Sequence, residues 1–588
     1  MSNTSGIVAV LVVAIGTMLI GAYGLRVSRT TSDFYVASRT VSPWWNASAI
    51  GGEYLSAASF VGIAGLIFAY GPDMLWFPVG YTAGYLVLLT LVAAPLRRSG
   101  AYTLPDFAEA RFGSPVVRAV ASGIAIAIGW LYLLPQFKGA GLTLHAVTGA
   151  PDWVGALIVA VVVTVNVMSG GMRSITFVQA FQYWLKLTAI AVPVVFLLLA
   201  WRAHGAEDLA GPEFPVFRTE TAVSFESDTV VHVERAITFT GSGGLDGERH
   251  ESGGVHLLDA GEHVISAGSR LTFPEGSPVP HLKSLPHSTN SSWALPMSNG
   301  ERFPLYAVYS LILATFLGTM GLPHVIVRFY TNPNGRAARR TTLIVLALLG
   351  VFYLMPPIYG VLGRLYTPEL LLTGDTDAVV LVLPSRMIPG VGGQLLGALV
   401  AGGAFAAFLS TSSGLMVSLA GVLSRDVLHL RGVRGFRIST VLAVLVPLGT
   451  TLLVAGIPVA DMVGLAFAVA ASSLCPLLLL GIWSTRITTV GAVAGMLAGG
   501  APALAAGVIT ISARTADQWF HVFLARPAAW TVPLGFVVMY VVSLVTPKRV
   551  PAGVNRVMVR LHAPENLGLE ALSAAEKTPE DPPVKESR

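Results

Sequence analysis

Apolar residues along this chain fall into blocks too long for the core of a soluble domain, separated by short polar connections. Gly6 to Leu25 carries no charge, and Gly155 to Gly171 and Ala189 to Trp201 behave the same way. A bilayer's hydrocarbon core, about 30 Å thick, is crossed by a helix of roughly 20 such residues. The pattern predicts about thirteen spanning helices, near 5–25, 44–70, 73–96, 116–146, 152–170, 175–201, 303–330, 341–364, 391–424, 438–457, 459–483, 488–510 and 528–546. The blocks divide the chain into residues 1–202 (spans one to six), an insertion at 203–302, residues 303–546 (spans seven to thirteen) and a tail at 547–588. The insertion changes period: Thr229-Val-Val-His-Val, Ala236-Ile-Thr-Phe-Thr and His263-Val-Ile-Ser alternate as short strands do, between Gly/Ser/Pro-rich turns. It is expected to be a small β-rich or flexible subdomain, and the polar tail is expected to be disordered.

Composition agrees. The chain is 53% hydrophobic and 12% charged, with mean hydropathy +0.68, too little charge to cover a soluble surface of 588 residues. Arginines set the orientation. With the N-terminus outside, inside segments carry Arg26, Arg29, Arg39, Arg97, Arg98, Arg111, Arg173, Arg328, Arg336, Arg339, Arg340, Arg425, Arg431, Arg434, Arg437 and Arg486. The short outside loops hold only Arg364, Arg386, Arg514 and Arg526. This positive-inside bias predicts a multi-pass protein of the cell (inner) membrane, N-terminus outside and C-terminus cytoplasmic. It also explains the net charge of +5 without any nucleic-acid partner. Gly6 to Leu25 lacks a basic stretch before it and a small-residue cleavage site after it, so it reads as a retained helix. Cys475 is the one cysteine, which excludes an intrachain disulfide.

Candidate chemistry lies where spans are interrupted. Span two contains Gly51-Gly52-Glu53-Tyr54-Leu55-Ser56-Ala57-Ala58-Ser59, and span seven contains Gly318-Thr319-Met320-Gly321-Leu322-Pro323-His324. A broken helix inside a membrane can offer carbonyls to a cation and N–H groups to an anion; small residues also serve close helix packing. A carboxylate at the depth of Glu53 is costly and points to function. Each broken span opens a set of five, which suggests inverted repeats of spans two to six and seven to eleven. In span nine, Ser410-Thr411-Ser412-Ser413 supplies hydroxyls that fit an alkali cation and equally fit helix–helix hydrogen bonding. Seven of the twelve histidines lie in the insertion, at spacings that suit solvated side chains better than a metal site. No metal-ligand motif or nucleophile elbow is present, so an enzyme is not expected.

The chain resembles the sodium:solute symporter family from about residue 30 to 545, through the span-nine stretch Ala406-Ala407-Phe408-Leu409-Ser410-Thr411. Within the family it is most similar to the cation/acetate symporters. Three stretches carry that likeness: Gly52 to Phe60, Thr176-Phe-Val-Gln-Ala-Phe-Gln-Tyr-Trp-Leu-Lys186, and Gly321-Leu-Pro-His-Val-Ile-Val-Arg-Phe-Tyr330. The resemblance implies an all-α membrane fold of thirteen helices with a leucine-transporter type core of five-plus-five repeats. It further implies sodium as coupling ion, held by the carbonyls of Gly52, Leu55 and Ala407 and the hydroxyls of Ser410 and Thr411. Sugar and proline carriers of the family have an aspartate where Gln179 stands, and acetate-type members more often have aspartate in place of Glu53. The implied activity is symport of acetate, propionate or pyruvate into the cell by alternating access.

For the substrate, Glu53, Ser56, Ser59, Phe60 and Thr319 are the candidate contacts: N–H groups around Ser56 to Ser59 for the carboxylate, and Phe60 for the methyl group. Lys138 and Lys186 are cations in or near spans; either could neutralise a carboxylate, though snorkelling to an interface is the commoner fate of such a side chain. Two alternatives share the fold: a proton-coupled carrier using Glu53, and a transporter-like sensor with the insertion as ligand detector. The partners expected are a small solute, sodium and lipid; oligomeric state is not legible.

Overall fold

The computed structural model describes residues 4–27, 37, 40–206, 213–250, 254–283, 285, 289–297, 303–430, 432–451, 459–512 and 520–564. Its helices carry apolar side chains on both faces. In span one (Thr4–Val27) Val10, Val13 and Ala14 are buried, while Leu11, Val12, Ile15 and Leu19 point outward. In water that outward face would be costly; in lipid it is the required surface. Among the described residues eleven helices are long and apolar enough to cross a membrane, and the bent pair Pro43–Tyr54 and Ala58–Tyr70 adds a twelfth crossing. The helix Asp152–Ala203 has 52 residues. Unbroken it would run about 78 Å, far beyond one bilayer, but Gly171 (φ 55, ψ −146) interrupts it. Taken as spans five and six, its two parts bring the crossings to the expected thirteen. The others are Pro72–Arg98, Pro115–Thr148, Pro304–Thr331, Gly335–Tyr366, Val391–Val427, Gly432–Thr451, Val459–Trp483, Thr489–Ser512 and Ala528–Val545.

Both expected breaks are present. Span two stops at Tyr54, leaves the helical region at Leu55 (φ −72, ψ 83) and resumes after a bend of 69°. Span seven stops at Gly321, turns at Leu322 (φ −75, ψ 114) and restarts at Pro323. A proline ring drives the preceding residue out of the helical region, which fixes that turn. Spans two, six and nine pack against one another at the centre of the bundle. The approach of spans two and six depends on Gly52, where a Cβ would come within 2.1 Å of the Gln179 carbonyl oxygen.

The insertion forms eight strands: β1 (Thr221–Ser224), β2 (Thr229–Val233), β3 (Ile237–Leu245), β4 (Glu248–His250), β5 (Val255–Leu258), β6 (Gly261–Ile265), β7 (Arg270–Phe273) and β8 (His281–Leu282). Their order is β1-β7-β3-β6-β2-β8, with β4 and β5 also paired to β3, and every pairing is antiparallel. Alternation buries Val231, Val233, Ile237, Phe239, Leu271 and Phe273 in a separate core. Leu372, from the connection after span eight, completes that core. Polar ties add to the docking: Trp293 Nε1 donates to Ile67 O (2.9 Å), Arg218 Nε to Leu365 O (2.6 Å), and the Met297 N–H to Asp73 Oδ2 (2.8 Å). At Gly71 (φ 77) the backbone lies so close to Trp293 that a Cβ would meet its carbonyl oxygen at 2.1 Å.

Order also continues where the sequence suggested none. Beyond Pro547 a helix covers Val554–His562, and Arg98 Nη1 donates to the carbonyls of Leu561 and His562 at its end. An amphipathic nine-residue segment with Leu561 buried against the bundle is too short to stand out in a polar tail. Residues 565–588, the rest of the expected disordered tail, lie outside the described residues.

One largely exposed ion pair gives the insertion a pH dependence. His263 Nδ1 meets Asp246 Oδ2 at 2.6 Å, and Val264 N–H donates to Asp246 Oδ1 at 2.7 Å. Burial lowers the His263 pKa, but its bonds to Asp246 and the Asp259 carbonyl outweigh that and hold it above 6.5. Burial raises the Asp246 pKa, and the Val264 N–H and His263 outweigh it, leaving it below 3.8. The histidine's contribution is present below its ordinary pKa and lost as pH rises past the raised one. The carboxylate's is present above its ordinary value and lost as pH falls past the lowered one. Asp246→Asn in the full chain should therefore speed amide exchange across β3 and β6 at about pH 5.5, with a smaller difference at about pH 9. Exposure of the pair keeps the effect modest.

Candidate functional site

The break in span two frees carbonyls that the helix no longer uses. Gly52 points its carbonyl toward span nine, where Ser410 Oγ lies within hydrogen-bond reach of Gly52 O (2.7 Å) and Ala407 O (3.0 Å), and Leu55 O meets Lys186 Nζ, which also bonds Gly52 O and Ser410 Oγ. Four of the five groups expected to hold sodium, those of Gly52, Leu55, Ala407 and Ser410, thus converge. The fifth does not join them directly: Thr411 Oγ1 donates to the Glu53 carbonyl at 2.5 Å.

A cation from the chain itself enters this cluster. Lys186, fully buried on span six, donates from Nζ to Gly52 O, to Leu55 O (2.8 Å) and to Ser410 Oγ (2.7 Å). An ammonium has three N–H donors and no acceptor, and here three oxygens face it. The expectation that such a lysine snorkels to an interface does not hold for Lys186. Its stem starts too deep, and the nearest polar groups are the carbonyls released by the break.

Glu53 is placed differently from its expected role. Its Oε2 accepts a hydrogen bond from Arg328 Nε at 2.5 Å in an ion pair, both side chains being buried. Arg328 also donates to Thr176 Oγ1 (2.9 Å) and to Gln179 Oε1, and Gln179 Nε2 donates to the Ser410 carbonyl at 2.7 Å. Gln179 therefore joins the charge pair to span nine. Arginine counting had placed Arg328 with the inside segments; after the break at Leu322 it turns into the bundle instead. Glu53 Oε1 has no hydrogen-bond partner and lies against Gly414, where a Cβ would come within 2.0 Å of it.

The remaining expected substrate contacts surround a group of aromatic rings. Thr319 Oγ1 bonds Tyr54 Oη at 2.8 Å, and Ser59 Oγ bonds Tyr353 Oη at 2.9 Å. Tyr54 meets Tyr85 and Tyr81 edge-on, at 4.8 and 5.9 Å between centroids, and Tyr81 meets Phe467 at 4.8 Å. Phe60 packs on Phe352 (6.0 Å), on the span-eight side of this group. Ser56 is buried at the break and its carbonyl accepts from the Phe60 N–H, while the Ala57 N–H expected for an anion is taken by Gln136 Oε1 (3.0 Å). The Tyr81 and Tyr85 hydroxyls and both ring nitrogens of His324 are buried without a hydrogen-bond partner. These tyrosines, like Arg328, were not among the expected site residues. The four-residue spacing of Tyr81 and Tyr85 on span three was the available signal, since it sets both hydroxyls on one helical face. No group of three or more His, Cys, Asp or Glu able to hold a metal occurs among the described residues.

Comparison with known proteins agrees with this architecture. A sequence model of the sodium:solute symporter family matches residues 34–209 and 297–499, leaving out most of the insertion. An uncharacterized symporter of Cupriavidus necator is 28% identical, the alignment covering 88% of each chain. The uncharacterized symporter YwcA of Bacillus subtilis is also 28% identical, over 88% of this chain and 90% of its own. A monocarboxylic acid transporter of Corynebacterium glutamicum is 28% identical over 89% of this chain and 88% of its own. A Na+-coupled sialic acid symporter, solved in a substrate-bound outward-open state, superposes with TM-score 0.59 at 14% identity, covering 91% of this chain and 98% of that one. The expected leucine-transporter type fold is the one observed, and the chain belongs to the sodium:solute symporter family.

Proposed function

We propose that this protein is a secondary active symporter that brings a small monocarboxylate into the cell together with a monovalent cation, by alternating access across the inner membrane. One observation carries the substrate class: the buried centre holds Lys186 and Arg328 against the single carboxylate of Glu53. One positive charge is in excess, and a monoanion closes the balance where a neutral sugar or a zwitterion does not. The relative named as a monocarboxylic acid transporter supports the same class. The unpartnered Tyr81 and Tyr85 hydroxyls beside the break are donors for a carboxylate, and the surrounding rings leave an apolar lining suited to a short acyl group. The oxygens of Gly52, Leu55, Ala407 and Ser410 suit a monovalent cation taking the place that the Lys186 ammonium holds in this structure, and family membership favours sodium among such ions. In this reading Glu53 holds Arg328 in place and does not touch substrate. Ser59 and Thr319 orient Tyr353 and Tyr54, and arginine placement favours an outer position for the insertion.

Uptake of labelled acetate into proteoliposomes, with propionate, pyruvate, lactate and proline as competitors, tests the substrate class. Monocarboxylates should compete and proline should not; the opposite ranking would remove the proposal. Accumulation above the outside concentration separates a carrier from a sensor. Tyr85→Phe should raise KM about tenfold, since a hydrogen bond to a charged group contributes roughly 1.5–3 kcal/mol.

The ion pair gives a second expectation. Glu53→Gln leaves Arg328 buried and unpaired, which should destabilise the protein by about 3–5 kcal/mol. Thermal unfolding in detergent of Glu53→Gln, Arg328→Gln and the double variant checks it: the double variant should be more stable than Glu53→Gln alone.

A further inference from the structure

We propose that the solute has a second, inner station on its way to the cytoplasm, built by His324 and Ser418 where the restart of span seven faces spans four and nine. The proposal rests on the symport reading above. A small cavity lies between these three spans, lined by Ala125 and Gly129 of span four, Leu415, Ser418 and Leu419 of span nine, and His324. His324 is 1% exposed, and neither of its ring nitrogens has a hydrogen-bond partner. An imidazole carries at least one N–H donor, and leaving such a group buried and unmet is costly. A ligand that accepts from it removes that cost. The Ser418 hydroxyl lines the same cavity as a second donor, and the other walls are apolar. Two polar groups in an otherwise apolar recess fit a short carboxylate, with its oxygens on the donors and its acyl group on Leu415 and Leu419.

Position along span nine separates this place from the centre. Ser418 lies eight residues beyond Ser410, about 12 Å along the helix axis, toward the end that arginine placement puts inside. Aromatic rings connect the two. His324 meets Tyr132 at 5.1 Å between centroids, Tyr132 meets Phe467 at 5.8 Å, and Phe467 meets Tyr81 at 4.8 Å. Beyond the cavity, at the inner end of span nine, Asp426 is held by Arg118 Nη2 (2.5 Å) and by Ser122 Oγ (2.6 Å). In this conformation the cavity has room for about one water, so a carboxylate enters only when a wall moves. Spans four and nine are in close contact, since a Cβ at Gly129 would come within 2.6 Å of Leu419. The remaining wall is the restart of span seven, set off from the first part of that span by the non-helical turn at Leu322 (φ −75, ψ 114). Swinging on that turn, the restart widens the cavity while His324 keeps its N–H on the carboxylate.

Counterflow of labelled pyruvate, with sodium and pH equal on both sides, tests the two faces separately. Right-side-out membrane vesicles read the outer face and inverted vesicles the inner one, with vesicles from cells lacking the protein as background. His324→Ala should raise the half-saturating pyruvate concentration about tenfold in inverted vesicles, the effect of losing one hydrogen bond to a charged group. Right-side-out vesicles should show no comparable shift. His324→Gln keeps an N–H donor and should lie nearer the unsubstituted protein. Ser418→Ala removes a hydroxyl from a half-buried position that a methyl group fills, and should shift the inner face in the same direction even if His324→Ala fails to fold. A purely structural role for His324 would move both faces together. Equal shifts on both faces, or no inner-face shift in any variant that folds, would overturn the assignment. If the unsubstituted protein shows no counterflow of any monocarboxylate, the symport reading itself falls and this station with it.

Discussion

A helix that stops being helical inside a bilayer must have its freed carbonyls met from within the protein, since lipid offers no donor. In this molecule the partner is an ammonium. The carbonyls of Gly52 and Leu55 exist as free acceptors only because span two breaks, and Lys186 can remain so deep only because they are there. The arrangement is mutual: remove the break and a charged side chain is left in an apolar interior, remove the lysine and the Leu55 carbonyl loses its donor while Gly52 O keeps only Ser410 Oγ. Most of what surrounds the centre follows from that dependence. Gly52 must lack a side chain for span six to come close enough, and Ser410 must present an oxygen at the height of the break.

The second charge pair extends the same logic to the other broken span. Arg328 follows the turn at Leu322 and reaches back across the bundle to Glu53 of span two. Thr176 and Gln179 of span six share its donors, and Gln179 passes the contact on to span nine. Spans two, six, seven and nine are thus joined through a handful of polar side chains. Each joint is a directional bond at one position instead of a broad apolar face. Exchanging such a bond leaves the close packing elsewhere intact, which fits rigid bodies rocking on a polar centre.

Much of the fold was legible because hydropathy and arginine placement depend on length and count, both of which survive in one dimension. The thirteen crossings, the two breaks and the strand-forming insertion were readable for that reason. The roles of Glu53, Arg328 and Lys186 were not, because they depend on depth and helix rotation. Arginine counting treats Arg328 as a residue near a boundary; only the turn at Leu322 carries it inward. A lysine in a span is ordinarily expected to snorkel, and nothing local distinguishes Lys138, half-buried on span four, from Lys186 at the centre. The distinguishing signal was periodic: Gln179, Gln182 and Lys186 fall at intervals of three and four residues, a polar stripe along one face of an otherwise apolar helix. Such a stripe in lipid has to face protein, and it faces spans one, two, seven and nine.

The insertion belongs in this account through its contact with the second half of span two. Trp293 donates to the Ile67 carbonyl near the end of that half-helix, and Gly71 gives way to the Trp293 backbone immediately beyond it. Arg364, from the end of span eight, is held between Asn290 and the Phe68 carbonyl, so the same corner also fixes span eight. The half-helix that the insertion grips begins at the break where Lys186 binds and carries Ser59 and Phe60 beside the tyrosines. A tilt of that half-helix has to be accommodated at both of its ends, by the ammonium at one and by the insertion at the other. The insertion therefore holds the far end of the half-helix whose near end meets the ammonium. Its separate core lets it do so as a body, because Leu372 joins the sheet to the connection after span eight by apolar burial, which does not depend on one bond angle.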